Sequence, residues 1–236
     1  MPNEYLQHLQ GPAGETWQQA VDRFAAFCLS LHEFVEDGEA YEVLFDEYYR
    51  DGSLFEWQEP VSEPDLLAME AKLGWTLPDA LKGVFRKRFA IYDVSTRFGR
   101  WGDRRVLEFN RSSEYGDCLH PLSKAIAWNF GPYFTDEELS PQQVAHLDAN
   151  YFGFGRWSDD DHRSTYLLVD RQGGFGRYDF HTEDYVGSVE RLGPLLEGRP
   201  LTLGLDELLT SAITDAMVHL LKRNDVPLTE PEAGER

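Results

Sequence analysis

Helical periodicity over the first ninety residues and again near the C-terminus, with short aromatic and β-branched segments punctuated by Gly and Asp in between, predicts an α+β fold. The chain has 236 residues, the length of one large domain or of a core with an extension. Apolar residues make up 42% and aromatics 14%, more than an acidic disordered chain carries, so a folded core is expected.

The first helix is written by Trp17, Val21, Phe24, Cys28, Leu31 and Val35 at steps of three or four. Ala20, Phe27 and Phe34 widen this stripe, and the helix is expected to end near Gly38. From Glu39 to Arg50, Tyr41, Leu44, Phe45 and Tyr48 repeat the spacing before the turn pair Asp51-Gly52. Together the two segments read as a helical hairpin with an acidic outer face. Ser62-Glu63-Pro64-Asp65 then offers a cap, a first-turn proline and an acid favourable to the helix dipole, and Gly74 stands where a left-handed C-cap is wanted. The next helix starts at Pro78 and is expected to bury Leu81, Val84, Phe85 and Phe89.

Beyond residue 90, Val106 to Phe109, Tyr151 to Trp157, Ser164 to Asp170 and Phe175 to Phe180 read as strands. Arg171-Gln172-Gly173-Gly174 joins the last two as a hairpin with glycines available for positive φ. Helices are expected at Ser123 to Asn129, at Ser140 to Ala149 with Ser140-Pro141 as its start, and from Leu205 to Leu220. The tail from Pro227 is polar.

Charge separates the chain further. Asp and Glu number 42 against 22 Lys and Arg, a formal net charge of -20. Such a balance opposes binding to nucleic-acid phosphates or to an anionic membrane surface. Residues 1 to 60 hold 13 acids and 2 bases, a net of -11, whereas 61 to 110 are net +2. That step divides the chain into an acidic helical extension (1 to 60), an α+β domain (61 to 226) and a flexible tail (227 to 236). No apolar run approaches the roughly 20 residues of a bilayer span. The start lacks the basic and apolar regions of an export signal, so a cytoplasmic location is expected. Two cysteines, Cys28 and Cys118, are too few for a disulfide framework or a structural zinc site, so both are expected as reduced thiols.

The sharpest polar cluster is Asp159-Asp160-Asp161-His162, set between two strand-like runs. It reads as a solvated turn, with a contact to a basic partner or a divalent-cation loop as alternatives; EF-hand spacing and its closing Glu are missing. His32-Glu33-Phe34-Val35-Glu36 ends in Glu where a zincin helix has its second His, and it reads as a polar helix face. Cys118-Leu119-His120 lacks a third group to orient the base. The glycines at 153 to 155 and 173 to 176 lack a phosphate-loop pattern and a following helix start, and no G-x-S-x-G elbow occurs. Arg86-Lys87-Arg88, with Arg97, Arg100, Arg104 and Arg105, reads as internal ion pairing in an acidic protein. No catalytic constellation, metal site or cofactor is expected.

The segment Ser62 to Leu81, with Leu73-Gly74 and Leu77-Pro78 as an "LG..LP" hinge between two helices, resembles the opening of the SUKH superfamily. Tyr151-Phe152-Gly153-Phe154-Gly155, the run Ser164 to Asp170 and the stretch Gly174 to Asp179 resemble its later strands, so the likeness spans roughly residues 61 to 185. It implies a mixed, largely antiparallel sheet flanked by helices, here with the N-terminal helical extension outside the pattern. Bacterial members are chiefly immunity proteins that neutralise toxins of polymorphic, contact-dependent and type VI secretion systems; fungal members are cell-wall regulators. The resemblance, the missing catalytic constellation and the negative charge together lead to the expectation of a non-catalytic inhibitor of a cognate protein toxin with a basic cleft, and the charge to that of no nucleic-acid or membrane partner. The contact residues expected from charge are Glu33, Glu36, Asp37, Glu39, Asp46, Glu47, Asp159, Asp160 and Asp161, with Tyr49 and Trp57 as aromatic anchors. A regulatory scaffold is the alternative, followed by a metal-dependent hydrolase built on Asp159 to His162.

Overall fold

The computed structural model describes residues 4–36, 55–93, 104–109, 122–123, 139–158, 163–181, 183–223 and 228. A 3-10 turn (Glu4–Leu9) precedes α1 (Trp17–Glu36). Strand β1 (Phe55–Trp57), helices α2 (Glu63–Leu73) and α3 (Asp79–Phe85), and strands β2 (Phe89–Asp93) and β3 (Arg104–Phe109) follow. Helix α4 (Pro141–Asn150), strands β4 (Tyr151–Ser158), β5 (Arg163–Asp170) and β6 (Phe175–His181), and helices α5 (Tyr185–Leu196) and α6 (Leu205–Arg223) complete the described chain.

The six strands form one sheet in the order β1 to β6, every neighbouring pair antiparallel. The expected α+β class is therefore observed, with the described pairings all antiparallel rather than mixed. Phe89 opens strand β2 and pairs with Trp57, a correction to its expected place on the helix that starts at Pro78. Helix α3 stops at Phe85 because residues 86 and 87 turn the chain toward β1, where Gln58 N–H donates to Arg88 O at 2.9 Å. The expected helix at 39 to 50, most of that at 123 to 129 and nearly all of the tail lie outside the described residues.

Caps fix the helix ends through local chemistry. Ser62 Oγ accepts from Asp65 N–H at 3.3 Å, and Gly74 closes α2 at φ 72°. Ser140 and Gln143 form a reciprocal capping box at the start of α4. In the β5–β6 hairpin Gly173 takes φ 88° and buried Asp170 accepts from the amides of Gln172 and Gly174 at 2.9 and 2.8 Å. Its other oxygen accepts from Leu201 N–H at 2.7 Å, tying the turn to the strap that leads into α6.

Both faces of the sheet carry apolar packing. On one, Phe89, Ile91, Leu107, Phe109, Phe154, Leu167, Val169 and Phe175 meet α1, α2, α3 and α6 in a single apolar core. On the other, Tyr151, Tyr166, Leu168, Tyr178 and Phe180 meet α4 and α5. The charge step at residue 60 does not coincide with a break in packing. Trp17, Phe24, Phe27 and Leu31 of α1 are buried in the same core as α6, and β1 pairs with β2.

A buried ion pair locks α1 in place. Arg23 Nε and Nη2 donate to the two Glu15 oxygens at 2.8 and 2.9 Å, with side-chain exposures of only 8% and 2%. The same guanidinium reaches Thr214 Oγ1 at 3.0 Å on α6 and the His8 carbonyl. Trp17 N–H donates to Asp206 Oδ1 at 2.9 Å, so α6 also satisfies the first turn of α1.

Removing Arg23 leaves Glu15 buried and uncompensated, so Arg23→Met is expected to lower unfolding free energy by about 3 kcal/mol in urea titration. Arg86→Met, which removes an exposed pair with Glu63, is expected to leave the midpoint nearly unchanged. A methyl group at residue 174 would sit 2.2 Å from the Leu201 carbonyl oxygen. Gly174→Ala is thus expected to cost about 2 kcal/mol by the same assay, since backbone must move.

Candidate functional site

A half-open pocket of ≈ 550 Å³ lies on the α6 side of the sheet, where β5 begins and β6 ends. Its floor follows from strand register. Trp157, Thr165 and Asp179 stand in one row across β4, β5 and β6, Arg163 and His181 in the row above, and Arg177 in the row below. The apolar members of the same face, Leu167, Val169 and Phe175, lie further down and are covered. Helix α6 crosses the sheet at the boundary, setting Asp215 over Arg177 and His219 edge-on to Trp157, with ring centroids 6.3 Å apart.

A bulge decides which side chain of β4 reaches this floor. Gly153 pairs with Leu168 but Gly155 pairs with Leu167, so one extra residue enters β4 between them. Strict alternation from Phe152, which faces the α6 core, would place Arg156 and Ser158 on the pocket side. The bulge inverts the alternation and presents Trp157 instead. The glycines at 153 and 155 are thus strand glycines, as expected, and they act by shifting register.

Helix α5 supplies the outer rim. Asp184 caps it by accepting from Gly187 N–H at 2.9 Å, and the hydroxyl of buried Ser188 both accepts from His181 N–H at 3.0 Å and donates to His181 O at 3.2 Å. Arg191 is fully committed to this corner, donating to Asp179 O at 2.8 Å, to Asp184 Oδ2 at 3.1 Å and to Ser188 Oγ at 2.9 Å. The capped amide and the Arg191 guanidinium hold the Asp184 carboxyl below the usual carboxylate range.

Asp179 and Asp215 add carboxylates to the lining. Thr165 Oγ1 donates to Asp179 Oδ1 at 2.6 Å, while Arg177 Nη1 contacts Asp215 Oδ2 at 3.5 Å with both side chains about half exposed. Burial pushes the Asp215 carboxyl above its ordinary value and the Asp179 charge adds to the rise, with Arg177 opposing. His181 Nδ1 accepts from Glu183 N–H at 3.2 Å, which assigns the ring proton of the neutral imidazole to Nε2. The indole N–H of Trp157 is buried with no hydrogen-bond partner among the described residues.

Of the residues expected from sequence to contact a partner, only Trp57 has a described side chain. It lies on β1, is 58% exposed and rests edge-on against Phe89 at 6.3 Å between ring centroids. Glu33 and Glu36 fall on the last turns of α1. Asp37, Glu39, Asp46, Glu47, Tyr49, Asp159, Asp160 and Asp161 lie outside the described residues. Among the described residues no group of three or more His, Cys, Asp or Glu is placed to hold a metal ion, and no helix is long and apolar enough to cross a membrane. Burial pushes the Cys28 thiol far up, so the residue packs rather than reacts. Arg86 pairs with Glu63 at 2.7 Å and Lys82 with Glu70 at 2.7 Å.

Comparison with known proteins returns no match to a family model, a curated protein or a solved structure.

Sequence reasoning missed the pocket. Arg163, Thr165, Arg177, Asp179, Asp215 and Trp157 come from four elements, and nothing in their sequence spacing joins them. The detectable trace was alternation within Arg177, Asp179 and His181, which puts three polar groups on one face of a strand.

Because the folded state binds the Asp215 proton more tightly than the unfolded chain does, the ionised carboxylate costs stability above its raised pKa. That cost disappears as pH falls below the ordinary aspartate range. Asp215→Asn is therefore expected to stabilise the protein at pH 7 by under about 1 kcal/mol, a figure kept small by solvent screening. Thermal unfolding across pH 3 to 8 is expected to show the gain fading toward the acid end.

Proposed function

We propose that this protein is a non-catalytic cytoplasmic immunity protein that binds a cognate toxin and occludes a basic active-site cleft. The observation that carries the reading is charge: a net of -20 overall, with -11 in the first 60 residues. An acidic surface of this kind imitates the charge of a nucleic-acid or nucleotide substrate and accelerates encounter with a basic partner, by ten- to a thousand-fold at low salt. The resemblance of residues 61 to 185 to the SUKH superfamily supports the same class. Trp57, within the acidic first sixty residues, supplies a large exposed aromatic, the residue type that most often anchors a protein interface.

Helix α1 gives this surface a rigid base. Its buried side is held by Trp17, Phe24, Phe27 and the Arg23–Glu15 pair, so the helix backbone that carries Glu33 and Glu36 is anchored to the core. Preorganisation of that kind reduces the ordering cost of association.

The experiment is co-expression with the product of the adjacent reading frame. The expected outcome is rescue of growth and a complex recovered on gel filtration; a neighbouring product that is neither toxic nor bound overturns the reading. Within such a complex, Glu33→Lys with Glu36→Lys is expected to slow association at least tenfold at low salt and to flatten its salt dependence. Trp57→Ala is expected to accelerate dissociation, as surface plasmon resonance would report.

A further inference from the structure

Helix α2 carries apolar residues on two faces, and the core of the chain uses only one of them. Leu66 and Met69 are buried there, and Leu73 packs against the same cluster. On the other side Pro64, Leu67, Ala68 and Ala71 recur at i, i+3, i+4 and i+7, and all four are exposed, Leu67 by 64%. A helix apolar on both sides is ordinarily covered on both, and the i, i+3, i+4, i+7 stripe is the pattern that seats a second helix. The backbone that leads into and out of α2 is described without interruption from residue 55 to residue 93.

Charge around the stripe decides what fits on it. In a chain of net charge -20, residues 59 to 88 hold five acids and five bases. The carboxylates of α2 are compensated from α3 and the turn after it: Glu70 pairs with Lys82 and Glu63 with Arg86, each at 2.7 Å, while Asp65 Oδ2 accepts from Ser62 Oγ at 2.6 Å. A basic partner gains little from so balanced a surface. A second copy of the chain, repelled by the acids elsewhere, meets less of that repulsion here. Ala68 and Ala71 beside Leu67 let two helix backbones approach closely, because interaxial distance is set by the side chains at the contact. We propose that this face of α2 is a self-association surface, on which α2 of a second copy packs antiparallel about a two-fold axis beside Leu67 and Ala68, each Leu67 seated against the small residues of the other helix. An 11-residue helix is about 16 Å long. Alone it is too short to bury the roughly 1,200 Å² of a stable interface, so the dimer is reversible and concentration-dependent. This inference is independent of the immunity reading.

Sedimentation equilibrium of the intact chain from about 10 μM to about 1 mM tests this, because a contact of this size reports only at high concentration. A monomer–dimer equilibrium is expected, tightening about threefold or more between about 0.05 and 0.5 M salt as repulsion between the two acidic copies is screened. Leu67→Glu places a charge on an exposed position and is expected to abolish the dimer while leaving the thermal midpoint nearly unchanged. In a Cys118→Ser background, with Cys28 buried, Ala68→Cys is expected to form an intermolecular disulfide under mild oxidation far faster than Ala25→Cys, an exposed site on α1. The proposal is overturned if the chain stays monomeric throughout that range at high salt, if the dimer weakens with salt, or if Leu67→Glu associates as tightly as the parent. It is equally overturned if Ala68→Cys cross-links no faster than Ala25→Cys. Circular dichroism melting of each variant separates lost association from lost folding, and the cross-link reports the contact without removing any apolar side chain from it.

Discussion

An aromatic ladder across one face of the sheet is the contact on which the rest of the molecule depends. Phe89 on β2, Phe109 on β3, Phe154 on β4 and Phe175 on β6 meet in sequence, with ring centroids 4.9, 6.4 and 6.0 Å apart, and Trp17 of α1 stacks on its first rung at 6.0 Å. Edge-to-face and offset rings of this kind add directional preference to ordinary apolar burial. Because the rungs come from four strands and a helix, the ladder fixes strand order, sheet twist and the seat of α1 together. A sheet built only from sequential antiparallel neighbours has no crossover to hold its distant strands, and the ladder with α6 across it provides that link.

The pocket exists because this covering stops. Helix α6 buries Leu208, Leu209, Ile213, Ala216 and Leu220 against the ladder face, and beyond the line from Asp215 to His219 the same sheet face turns polar. Arg163, Thr165, Arg177, Asp179 and His181 occupy positions that would be core if α6 lay one row higher. The β4 bulge then sets an indole among them. Two local features, a helix offset and an extra residue, therefore convert a buried face into a concave one.

Electrostatics explains how a chain of net charge -20 folds around such a core. Among the described acids of the N-terminal quarter, buried Glu15 is paired with Arg23, and ionic repulsion among exposed acids is screened within about 8 Å at physiological salt. The pocket, with both signs interspersed, is electrostatically a separate environment on the same molecule.

Local chemistry was legible before any coordinates. Ser62, Gly74, Ser140 and the glycines of the β5–β6 turn announce helix starts, a helix stop and a hairpin, because each acts on backbone groups within a few residues of itself. The amphipathic stripes of α1 and α6 were legible for the same reason, periodicity being a property of neighbouring residues. Phe89 was misassigned to a helix, and β1, β2 and α5 were not foreseen, because their states are set by partners far along the chain: Trp57 for Phe89, and the Ser188 and Arg191 bonds to β6 for α5. The contact residues expected from charge fall largely outside the described residues, whereas the pocket could not be read at all, its members being spread from residue 157 to residue 215. What the sequence determined alone was the fold class, the caps and the uneven charge, all of which depend on composition or on nearest neighbours. Only the tertiary structure decided that the acidic N-terminal helix belongs to the core and that Trp157 rather than Arg156 faces the pocket, since burial and register are set by strands and helices meeting in space.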